Sequence, residues 1–149
     1  MRRRASSEPR TAITQSTTVR VRFDECDPLG IVWHGNYIRY FEDGREAFGR
    51  EHGISYLSQQ EQGYASPIVS MLCEHQRSLK YGDVATVQVW FCDSPAAKMI
   101  FEYEIRDPQG RVACTGRSVQ VFLFLGGELA LTAPDKFMEW KRQMGLLNG

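Results

Sequence analysis

No uninterrupted apolar run in this sequence approaches the roughly 20 residues that a membrane-spanning helix needs, so no membrane span is expected. Arg2, Arg3 and Arg4 are not followed by an apolar core, which excludes a secretory signal peptide and leaves a cytoplasmic protein as the expectation. Net charge is missing as well, since Lys+Arg and Asp+Glu both total 18. Four bases (Arg2, Arg3, Arg4, Arg10) but one acid (Glu8) fall in the first 16 residues, which leaves 14 bases against 17 acids beyond them. A nucleic-acid binder normally carries a basic body, so nucleic acid is excluded as a partner.

The four cysteines, Cys26, Cys73, Cys92 and Cys114, show no C-x-x-C spacing, and each lies in or beside a predicted strand. They read as buried free thiols. Cys26, His34, His52 and His75 have no metal-ligand spacing, so no metal site is expected. Aliphatic residues are scarce before Thr17, and residues 1–16 read as a disordered leader. Residues 17–149 read as one domain, a length that suits a single core.

What is present is patterning. Val19, Val21 and Phe23 alternate with Arg20 and Arg22, the period of a strand with one buried face. From about His34 the period changes. Tyr37, Phe41, Gly44 and Phe48 share one helical stripe, and Gly53 suits a left-handed helix end. Gly44 in mid-helix costs roughly 1 kcal/mol against Ala, and reads either as close contact to a sheet or as simple tolerance of glycine. A short helix or turn over 54–63 follows, then an extended segment from Ile68 to Tyr81. Further strands are predicted around Val87–Phe91, Met99–Ile105 and Arg111–Leu125, separated by turns at Asp93-Ser94-Pro95 and Asp107-Pro108-Gln109-Gly110. Thr132 is a candidate cap for a short C-terminal helix opening near Pro134 and Asp135. Consecutive strands joined by tight turns imply an antiparallel sheet, with the long helix covering it. The class is α+β, and a free sheet edge would allow pairing between copies.

The chemistry concentrates between Phe23 and Tyr37. Asp27 stands in a Pro28/Gly30 loop just ahead of a helix start, where unpaired N–H groups and the positive end of the helix dipole gather. A carboxylate there can work on a carbonyl whose oxygen those groups hold. An Asp before a turn also commonly caps backbone N–H groups. Asp24 offers the same chemistry at a neighbouring position.

Phe23, Asp27, Gly30, Val32, His34 and Tyr37, followed by Phe41-Glu42 and Arg45, resemble the signature of hot-dog-fold acyl-CoA thioesterases of the 4-hydroxybenzoyl-CoA and Tol–Pal-associated types. The loop Asp27-Pro28-Leu29-Gly30-Ile31-Val32-Trp33 resembles the former group, while His at position 34 resembles the latter. The resemblance implies a five-stranded antiparallel sheet wrapped around one long helix, and a homodimer or homotetramer. It implies Asp27 as the catalytic carboxylate, attacking the thioester or activating water, with the backbone N–H of His34, helped by Gly35, receiving the oxygen. The His34 side chain is a second catalytic candidate, with packing at the pocket mouth as the competing reading. Gly30, Gly35, Tyr37, Ile38 and Glu42 are implied at the acyl site, with His34, Ile38 and Glu42 as one stripe running inward. An ion pair of Glu42 with Arg45 is the competing reading. Arg77, Lys80 and Arg117 are candidates for the coenzyme A phosphates. No cofactor is implied beyond the coenzyme A of the substrate. An acyl-carrier-protein thioesterase would need a basic docking face, and a non-catalytic acyl-binding module would be expected to lack the acid at position 27.

Overall fold

The computed structural model describes residues 8–147. Strand β1 (Arg10–Arg20) leads through a loop and a short 3-10 turn at His34–Asn36 into helix α1 (Tyr37–His52). Helix α2 (Tyr56–Glu61) and the two-residue strand β2 (Tyr64–Ala65) follow. The chain then runs through β3 (Ile68–His75), β4 (Val84–Cys92), β5 (Lys98–Arg106) and β6 (Val112–Val121), the short β7 (Leu123–Phe124) and helix α3 (Asp135–Gln143). The main sheet has the order β1-β4-β5-β6-β3, antiparallel throughout, and β2 pairs with β7 apart from it. Among the described residues, no helix is long and apolar enough to cross a membrane.

The apolar stripe of α1 faces this sheet: Tyr37, Phe41, Gly44 and Phe48 are all buried. Phe41 stacks on Tyr103 with ring centroids 4.6 Å apart, and Phe48 meets Phe101 edge-on at 5.0 Å. Each such ring contributes roughly 1.5–3 kcal/mol by leaving water. At Gly44 helix and sheet touch closely. A Cβ there would lie 2.7 Å from methyl carbons of both Val87 and Val89, so the cost of glycine in the helix is the condition for this packing. The helix ends as predicted, with Gly53 left-handed at φ 78°.

Four expectations are corrected. The leader reading covered residues 1–16, but β1 begins at Arg10; residues 1–7 of that reading lie outside the described residues. At the start of β1 Ile13 packs against the core, but polar side chains on either side of it also make contacts, so no apolar alternation shows. Thr11 and Thr14 hydroxyls donate to the Phe91 and Val89 carbonyls at 2.8 and 2.6 Å, and the Arg10 guanidinium lies 3.8 Å over the Trp90 ring. The extended segment from Ile68 ends as a strand at His75, because 76–81 leaves the sheet to reach the loop before α1. The strand predicted to Leu125 stops at Val121, where the chain turns off to form β7. Thr132 does not cap α3, whose N-cap is Pro134 with no side-chain bond. That helix is instead held by its buried residues. Trp140 Nε1 donates to the His52 carbonyl at 2.6 Å, and Lys141 Nζ pairs with Asp93 at 2.6 Å.

Candidate active site

The stretch from Arg22 to Asn36 is tied down residue by residue. Cys26 and Val32 form an antiparallel bridge, and Ile31 bridges to Lys80. The Val32 N–H donates to the Leu79 carbonyl at 2.8 Å. Glu25 is the hub. Its carboxylate accepts the Arg22 N–H at 2.7 Å and the Tyr40 hydroxyl at 3.0 Å, and its carbonyl accepts the Trp33 N–H and the Asn36 side-chain amide at 2.9 and 2.8 Å. Tyr40 and Asn36 are buried, so the loop is fastened to the start of α1 from beneath. Burial, reinforced by Glu25, pushes the Tyr40 phenol well above its ordinary range; it stays a donor to that carboxylate. Neither Glu25 nor Asn36 was visible as a site residue in sequence, because an acid in an exposed-looking loop and an Asn at a helix start have many uses.

Inside this loop Asp27 closes a tight turn. Its N–H donates to the Ile31 carbonyl at 2.9 Å and its carbonyl accepts from the Gly30 N–H at 2.9 Å. Gly30 takes φ 77°, a conformation that strains any residue with a Cβ. Asp27 Oδ1 accepts the Leu29 N–H at 2.8 Å. The backbone-capping reading of Asp27 is therefore correct for one oxygen, while Oδ2 has no protein partner among the described residues. Asp27 is half-buried and shares an open cleft of about 360 Å³ with Ile31, His34, Tyr37, His75 and Arg77. At the cleft's other side the chain enters its 3-10 turn, whose first N–H groups, on His34 and Gly35, have no backbone acceptor among the described residues.

The remaining sequence candidates divide by this geometry. The His34 ring is exposed and packs at 4.9 Å on Trp33. Tyr37 lines the cleft, but its hydroxyl accepts the Leu79 N–H at 3.0 Å, so it braces the cleft wall. The stripe of His34, Ile38 and Glu42 does not run inward. All three are exposed, because the sheet takes the opposite face of α1. Glu42 forms the competing ion pair with Arg45. Arg45 is buried and also donates to the Tyr103 hydroxyl at 3.1 Å, itself 2.6 Å from Ser118 Oγ. Arg77 is exposed on the cleft, and Lys80 is exposed just beyond it. Arg117 lies elsewhere. It pairs with Glu8 at 2.8 Å and approaches Glu102 at 4.0 Å on the sheet face turned away from α1, because residue 117 alternates out of the face that holds Gly116 and Ser118.

The thiols are free, as read from the spacing, but only Cys92 and Cys114 are buried. The set of Cys26, His34, His52 and His75 does not come together. A different set does: Cys73, His75 and Cys114 place their ligand atoms within 4.8 Å of one another.

A family model described as the thioesterase-like superfamily matches residues 21–141. The chain is 32% identical over 103 residues to the Bacillus subtilis (strain 168) protein YneP, named as a candidate acyl-CoA thioesterase, with 69% of this chain and 75% of that protein covered. It is 27% identical over 129 residues to the 4-hydroxybenzoyl-CoA thioesterase of Pseudomonas sp. (strain CBS-3), covering 80% of this chain and 92% of that one. Among solved structures, a DHNA-CoA thioesterase from Staphylococcus aureus matches with TM-score 0.79 at 24% identity, covering 91% of this chain and 93% of that one. A mutant 4-hydroxybenzoyl CoA thioesterase complexed with 4-hydroxybenzoyl CoA matches with TM-score 0.75 at 23% identity, covering 87% and 99%. These structural likenesses bear on the fold, and the sheet wrapped around α1 is the hot-dog arrangement.

Proposed function

The chain belongs to the thioesterase-like superfamily, and from that premise we propose that it hydrolyses acyl-CoA thioesters to the free acid and coenzyme A, with Asp27 as the reacting carboxylate. The observation that carries this reading is the divided carboxylate: Oδ1 is held by the Leu29 N–H while Oδ2 is free beside the cleft. A held carboxylate with one free oxygen is oriented without being neutralised. Net hydrolysis forms a C–O bond from water and breaks the C–S bond, so the thiol leaves carrying a proton that water supplied. The free oxygen either takes that proton from water or attacks the carbonyl to give a mixed anhydride that water then opens. In both routes negative charge develops on the thioester oxygen. The His34 N–H, with Gly35 beside it, is the donor proposed to receive it, an interaction that typically contributes about 3 kcal/mol in the transition state.

Arg77 is the cation proposed for the phosphates of coenzyme A, since it stands exposed on the same cleft. No cofactor or metal has a part in this reaction as proposed. Strand β3 supports a homodimer. It is an edge of the main sheet, paired only with β6, and it exposes Val69 by 60% and Leu72 by 51%. An unpaired edge with apolar side chains is a template for a second copy.

Release of free thiol from a panel of aromatic and short aliphatic acyl-CoAs tests the proposal. Multiple turnovers on at least one ester are expected. Saturable binding with no thiol release on any of them would point to an acyl-binding module instead.

A further inference from the structure

Cys73 and His75 lie two residues apart on β3 and so project from the same face of the sheet. In the register between β3 and β6, His75 stands directly opposite Cys114. The fold thus brings together two thiols and an imidazole that are widely separated in sequence. Cys73 Sγ is 3.4 Å from Cys114 Sγ and 3.6 Å from His75 Nε2. The three ligand atoms all fall within 4.8 Å of one another.

The two shorter spacings lie near the edges of a coordination polyhedron. With Zn–S near 2.3 Å and Zn–N near 2.0–2.1 Å, a tetrahedral zinc site has S···S edges of about 3.8 Å and S···N edges of about 3.6 Å. The donor set is also a discriminating one, because thiolate and imidazole select zinc-like cations over magnesium or calcium. We propose that Cys73, His75 and Cys114 form a binding site for a thiophilic divalent cation of the zinc class, with three protein ligands and one coordination position open.

The surroundings suit the assignment. The Tyr37 ring packs edge-on against His75 at 4.8 Å and limits how far the imidazole can swing. Cys114 is buried, Cys73 half-buried and His75 exposed, so the ion has a route in from solvent while two of its ligands are sheltered. His75 also lines the cleft that holds Asp27, which puts the ion beside the candidate active site. The proposal does not depend on thioester chemistry.

Cobalt(II) titration of the reduced full-length protein tests it without any enzymatic readout. One equivalent should give a thiolate-to-cobalt charge-transfer band and the visible absorption of a four-coordinate site, and zinc should abolish both. A change at buried Cys114 puts the fold at risk, so Cys73→Ser and His75→Ala on the more open strand carry the test, with circular dichroism confirming that both are folded. Each should weaken cobalt binding by a hundredfold or more, beyond the roughly 10–100-fold that loss of an outer-shell partner costs. Cys26→Ser should leave it unchanged. Absence of the charge-transfer band in the wild type would overturn the assignment. So would wild-type cobalt affinity in Cys73→Ser or His75→Ala, or a band that disappears in Cys26→Ser.

Discussion

One carboxylate oxygen of Asp27 accepts the backbone N–H of Leu29 at 2.8 Å, and no protein donor meets the other among the described residues. The first bond sets the direction of the side chain and leaves the second oxygen open to the cleft. The loop that presents this arrangement is itself held by Glu25, which joins it to α1 through Tyr40.

Removing the phenol at that joint should loosen the loop while leaving the helix packed. Tyr40→Phe deletes one hydrogen bond to a carboxylate, a loss of about 1.5–3 kcal/mol. It should appear as a lower urea midpoint with an unchanged slope, accompanied by reduced turnover. Wild-type stability and wild-type turnover in this variant would show that Glu25 does not hold the loop through Tyr40.

Gly44→Ala should destabilise the protein although it raises helix propensity. Its Cβ would meet Val87 and Val89 at 2.7 Å. Overpacking of this kind costs about 1–3 kcal/mol, against about 1 kcal/mol regained in propensity. A net loss of up to about 2 kcal/mol is expected in denaturant melts, and a stabilised variant would mean that helix and sheet separate easily there.

The two arginines proposed from sequence for phosphate binding should behave differently. Arg77→Ala should raise KM for an acyl-CoA about tenfold, the equivalent of about 1.4 kcal/mol, and leave KM for the matching pantetheine thioester, which lacks the nucleotide, unmoved. Arg117→Ala should change neither, because its partners are Glu8 and Glu102 on the far side of the sheet. An equal effect of Arg77→Ala on both esters would remove it from phosphate recognition.

Burial, with Glu102 nearby, pushes the Cys92 thiol up to about 12. At pH 8 only about one molecule in ten thousand would carry the reactive thiolate. Iodoacetamide followed by peptide mass analysis should therefore find Cys92 modified only after denaturation, with labelling in the native protein rising only at strongly alkaline pH. Native labelling of Cys92 at the rate of half-exposed Cys26 would contradict the burial that causes the shift.

The elements that face the core were legible in sequence because burial leaves a period. Tyr37, Phe41, Gly44 and Phe48 marked the buried face of α1, and Val87, Val89 and Phe91 that of β4. Residues 10–16 were not legible, since Thr11 and Thr14 make their sheet contacts through hydroxyls and Arg10 through a ring and a carboxylate. The position of Asp27 could be read from its loop, but its division between one held and one free oxygen depends on the turn's geometry. Cys73, His75 and Cys114 could not be grouped from spacing at all. Their proximity follows from the register of β3 on β6, which no local pattern reports.

The most direct measurement compares kcat/KM for Asp27→Asn and Asp24→Asn on the preferred acyl-CoA. Asn at position 27 keeps an oxygen to accept the Leu29 N–H, so the loop, the circular dichroism spectrum and binding of the ester should persist. Loss of the free carboxylate oxygen should lower kcat/KM by about 10²–10⁴-fold, while Asp24→Asn, on an exposed carboxylate outside the cleft, should stay near wild type. Wild-type turnover in Asp27→Asn, or an equal loss in both variants, would contradict the assignment of Asp27 as the reacting carboxylate.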